Sequence, residues 1–99
     1  MKHDFRKEPI GQTADQFTDW LLAETTNALK RDYGDVEAVK STMFMFVNRV
    51  CESHMPEKLI AQILGKSIAQ AGYSEQEEGV LFDMYEMYEP VARKVHKDS

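Results

Sequence analysis

Residues 36–54, VEAVKSTMFMFVNRVCESH, place apolar side chains at Val36, Val39, Met43, Phe46, Val47 and Val50. Successive steps of three, four, three, one and three put these positions on one face of a helix, and a face that regular has to be buried. The spacing therefore predicts a helix at the centre of the core, with the rest of the chain folded around it. No stretch alternates with period two for long enough to predict a strand. The expected fold class is all-α, a small bundle of four main helices at about residues 14–33, 36–54, 56–71 and 75–97, packed antiparallel or orthogonally.

Capping chemistry sets the boundaries. Residues 1–12 mix charges with Pro9 and Gly11 and show no periodicity, so they read as a flexible N-terminal arm preceding a single helical domain at 13–99. Thr13 with Gln16 matches a capping box for the first helix, whose stripe is Ala14, Phe17, Leu21 and Ala28, widened by Trp20, Leu22 and Leu29. Gly34 is placed to end it, and Asp35 to cap the second helix at once. Pro56 cannot continue the second helix and suits the first turn of the third. That helix presents Leu59, Ile60, Ile63, Leu64, Ile68 and Ala71 before Gly72, with Tyr73 placed to fold back on Ile68. Ser74 with Glu77 is a second capping box. In the fourth helix Val80, Leu81, Met84, Tyr88, Val91 and Val95 read as the core face, and Pro90 predicts a kink or break near Glu89.

Composition narrows the functional classes. The chain has 99 residues with 42% apolar content, enough for one domain with its own core. Cys51 is the single cysteine, which excludes an intrachain disulfide and fits a reducing, cytoplasmic setting. The longest apolar run, residues 43–47, is far too short to cross a bilayer, so no membrane association is expected. The net charge is −5, yet residues 75–89 hold six carboxylates and neither Lys nor Arg, so the remainder nets +1. A negative field this local repels phosphate and attracts basic partners, which argues against nucleic acid as the ligand.

Motif by motif, chemistry finds little support. Gly65-Lys66-Ser67 has the tail of a phosphate-binding loop, but Ile60 stands where the leading glycine belongs and the triplet falls mid-helix. Ala61, Gly65 and Ser67 share the small-residue spacing of a helix-turn-helix, and a DNA-binding regulator using the third helix is one alternative function. It lacks the basic footprint such a reader needs. Cys51 and His54 are one helical turn apart, but with no second cysteine they cannot complete a structural zinc set, and no Glu-x-x-His occurs. No metal, cofactor or catalytic residue is assigned, and an enzyme is not expected.

Phe82 carries the functional expectation. With Val80 at zero and about 100° per residue, the face read as core centres near 60° and Phe82 falls near 200°. Around it fall Glu78, Glu89, Glu75 and Glu86, at roughly 160°, 180°, 220° and 240°. An aromatic ringed by carboxylates has the form of an interaction hot spot with a charged rim. The chain thus reads as a non-catalytic interaction module, a small acidic adaptor, regulator or inhibitor that docks a basic protein surface through this face. A phage or mobile-element accessory protein would have this character. A structural homo-oligomer, with the fourth helix covered at a homodimer interface, is the second alternative.

Overall fold

The computed structural model describes residues 3–7 and 15–97, and four α-helices account for most of them. They are α1 (Gln16–Arg31), α2 (Val36–Glu52), α3 (Glu57–Ala71) and α4 (Glu75–Val95), preceded by one turn of 3-10 helix at Phe5–Lys7. No strand occurs among the described residues. The all-α class and the four-helix bundle are as the sequence predicts.

Local chemistry explains each boundary. Asp15 caps α1, accepting from the Thr18 amide, while the Thr18 hydroxyl accepts from the Asp15 amide. The box is thus formed two residues inside the expected one, and Thr13 and Ala14 lie outside the described residues. α1 stops at Arg31, and Gly34 takes φ +90° in the turn that follows, a region costly for any residue with a Cβ. Asp35 caps α2 by accepting from Ala38 N–H at 3.2 Å.

α2 ends at Glu52, two residues short of the expected end, because His54 turns left-handed at φ +56°. Met55 N–H then returns to the Val50 carbonyl and His54 N–H to that of Cys51, the two bonds of a Schellman end. Pro56 is the N-cap of α3, one position before the first turn assigned to it. At the other end Gly72 adopts φ +92° and Tyr73 N–H reaches the Ile68 carbonyl, as the expected fold-back requires. Ser74 and Glu77 form the second capping box as predicted.

α4 runs without a break through Pro90. The proline removes the amide that would pair with the Glu86 carbonyl, but both residues are exposed, so water can take that carbonyl. A break is therefore not enforced.

The central stripe packs as read, with Met43, Phe46, Val47 and Val50 at most 2% exposed. Val36 is the exception at 61% exposed, since it is the first residue of α2 and stands clear of the core. Around this stripe lie Leu21 and Leu29 of α1, Ile60, Leu64 and Ile68 of α3, and Leu81 of α4. The helices pair as α1 with α3 and α2 with α4. Near their starts Thr18 and Leu22 share a small cavity with Leu59 and Ile63, and near their ends the Tyr73 hydroxyl donates to the Leu29 carbonyl. α1 and α3 therefore run side by side in one direction. α4 is fastened to α2 by the Phe44–Tyr88 edge-to-face contact and by His96 Nε2 on Asn48 Oδ1 at 2.7 Å.

Of the expected arm, residues 1–2 and 8–12 lie outside the described residues. Residues 3–7 are seated on the body: Phe5 N–H donates to the Ser53 carbonyl at 2.8 Å, and the Phe5 ring meets Phe17.

Candidate functional site

The core-facing direction of α4 decides what its surface can do. Leu81, Tyr85 and Ala92 are buried, with Phe82, Met84 and Tyr88 half-buried beside them. That direction is turned by about 60° from the one the valines suggested. The reason lies in size. Turning the helix toward Leu81, Tyr85 and the flanking rings of Phe82 and Tyr88 removes more apolar surface from water than burying a row of valines. Counting apolar positions equally put Tyr85 outside the core face and Phe82 opposite it.

The consequences for the predicted docking residues are specific. Phe82 packs against the core and is not a free-standing anchor. Glu75 and Glu86 are exposed, while Glu78 and Glu89 are half-buried. Glu89 accepts from Arg93 Nε at 2.6 Å, an ion pair one turn along the helix, and Arg93 also approaches Glu57 of α3 at 4.0 Å. The five residues share one region of α4, but they do not form a charged ring about an exposed aromatic.

What the rotation exposes is an apolar stripe. Val80, Met87, Val91 and Val95 are 52%, 63%, 60% and 70% exposed, and half-buried Met84 lies in the same row. Phe44 of α2, 53% exposed, continues this surface sideways through its contact with Tyr88. Isolated exposed apolar residues are ordinary, but a continuous row with an aromatic beside it marks a contact surface. Asp83, Glu86 and Glu75 are exposed toward the first half of α4; Lys94 and Lys97 are exposed toward its end. The sequence reading places Val80, Met84, Val91 and Val95 of this stripe in the core and leaves Met87 out of it.

The interface between α2 and α4 holds a second cluster. Tyr85 Oη is buried with no hydrogen-bond partner, and burial and the nearby Glu89 carboxylate push its hydroxyl well above the usual phenol range. Burial likewise pushes the Cys51 thiol up, with Arg93 opposing. A thiol held protonated in an apolar setting is a packing group, the opposite of an activated nucleophile. Among the described residues no group of three or more His, Cys, Asp or Glu side chains is placed to hold a metal ion.

Between α1 and α2 runs a groove of about 430 Å³, bordered by Trp20, Glu24, Asn27, Met45 and Arg49. The Arg49 guanidinium lies 4.9 Å from the Trp20 ring centre and 4.0 Å from Glu24, so the Trp20 wall of the groove is already covered by a cation. Gly65 and Lys66 sit inside uninterrupted α3, and Ala61, Gly65 and Ser67 therefore make no turn. No helix among the described residues is long and apolar enough to cross a membrane. No protein-family model matches this sequence, no curated protein matches it, and no solved structure matches its fold.

Proposed function

We propose that the chain is a non-catalytic protein-interaction module, an adaptor or regulator, that docks through the exposed apolar stripe of α4. The single observation that carries this reading is the row of Val80, Met87, Val91 and Val95, each more than half exposed on a helix whose other face is anchored in the core. A stable fold gains nothing from leaving these side chains in water, whereas a partner that covers them gains roughly 25 cal/mol per Å² buried. The acidic first half of α4 favours a partner that brings positive charge to that end. Duplex nucleic acid is the least suitable ligand, because the same carboxylates repel its phosphates. The free, buried thiol of Cys51 fits a reducing cytoplasmic setting.

A random-peptide library selected on the immobilised protein tests the reading. Binders should be apolar along one edge and basic. Val91→Glu should abolish their retention and leave the melting temperature about unchanged, because that side chain faces water. Phe82→Ala should instead lower stability, by about 1–3 kcal/mol for a half-buried ring. Asn27→Glu in the α1–α2 groove should change neither. Binders indifferent to Val91→Glu but lost with Asn27→Glu would move the docking site to the groove.

A further inference from the structure

Resting on the assignment of the α4 stripe as the docking face, we infer that its occupant is a second copy of the chain, with the two α4 helices crossing antiparallel about a two-fold axis. The stripe residues succeed one another in steps of four, three, four and four from Val80 to Val95. That is close to the seam of a two-helix coil, in which apolar positions alternate steps of three and four. Along about 22 Å of helix the row is also nearly symmetric end to end. Reversed on itself, Val80 meets Val95 and Met84 meets Val91, with Met87 within one residue of the midpoint. A surface that is to match itself under a two-fold axis needs this property, since every contact is made twice.

Charge selects the direction. The first half of α4 carries Glu75, Glu77, Glu78, Asp83 and Glu86 with no cation, and its end carries Arg93 and Lys94 with no carboxylate between Glu89 and Val95. Parallel pairing would set acid against acid and base against base. Antiparallel pairing lays each acidic half along the other copy's basic end. On the helical wheel Asp83 and Lys94 flank the stripe on the same side, about 20° apart. In an antiparallel pair the matching flanks meet, so Asp83 faces Lys94 of the second copy, twice per dimer. Phe44 stands beside the midpoint through its contact with Tyr88 and widens the buried patch where the two-fold axis passes. The basic surface that the acidic segment calls for is thus present in the chain itself.

Cysteine pairing reads the geometry directly, because the native Cys51 is buried. With a short bismaleimide, Met87→Cys should cross-link to itself. Val80→Cys should do so only when mixed with Val95→Cys. Charge exchange supplies an independent test by sedimentation: Asp83→Lys and Lys94→Asp should each weaken self-association about tenfold, and the double exchange should restore it. Self-cross-linking of Val80→Cys alone, or no rescue by the double exchange, would overturn the antiparallel pair. A chain that stays monomeric while peptide binders still require Val91 would overturn self-pairing and leave the docking face standing. If Val91→Glu unfolds the protein, the stripe is core and both readings fall.

Discussion

Asp32 is a buried carboxylate at the end of α1, and the Thr42 hydroxyl of α2 donates to it while Arg31 pairs with it from the solvent side at 3.0 Å. The Thr42 bond, helped by the Arg31 charge and opposed by burial, holds the Asp32 carboxyl below its ordinary value. A depressed folded-state pKa adds stability that is complete above the unfolded value near 3.8 and is lost as pH falls through the lower folded value. Thr42→Val should therefore cost about 1–3 kcal/mol at neutral pH, since it leaves a buried carboxylate short of a donor. Urea titrations between pH 6 and 2 should show that Asp32→Asn loses less stability on acidification than the parent chain. Equal acid sensitivity would mean that Asp32 is not tied to α2 in solution.

At the level of the elements, the caps do more than periodicity to define the chain. Asp35, Gly72 and the Ser74–Glu77 pair act at the positions their chemistry implies, because a cap is a local event readable from three or four neighbours. Gly72 gives a clean test. A Cβ there would touch nothing, yet φ is +92°, so Gly72→Ala should cost about 1–2 kcal/mol through backbone strain alone. A neutral result in thermal melts would place the end of α3 elsewhere. The stripes of α2 and α3 are legible because each is a regular row built mainly on three- and four-residue steps, with Phe44 and Met45 the large apolar residues of α2 that fall outside it. α4 has two apolar faces: Leu81 with Tyr85 and Ala92 on one side, and the row from Val80 to Val95 on the other. Periodicity counts apolar positions but does not weigh an aromatic ring against a valine, so it gives a phase rotated from the observed one and places Phe82, which packs against the core, on the outer face. The pairing of alternate helices was likewise beyond a periodicity argument, since it depends on which faces meet and not on where each face lies.

For the molecule as a whole, the two faces of α4 divide the labour. The inner face, with His96 on Asn48 and Tyr88 on Phe44, fixes the helix against α2. The outer face remains for a partner, and its end-to-end symmetry together with its divided charge makes a second copy the best fit. Because the outer side chains contribute little to the monomer's core, association and folding should respond to different substitutions. The most direct test is the mass of the unmodified protein by sedimentation equilibrium across a dilution series, with Val91→Glu as the reference. The account predicts twice the 11.4 kDa chain mass at high concentration, falling toward 11.4 kDa on dilution, while Val91→Glu stays at 11.4 kDa and folded throughout. A parent chain that remains at 11.4 kDa at every concentration, or a dimer that Val91→Glu does not disturb, would contradict it.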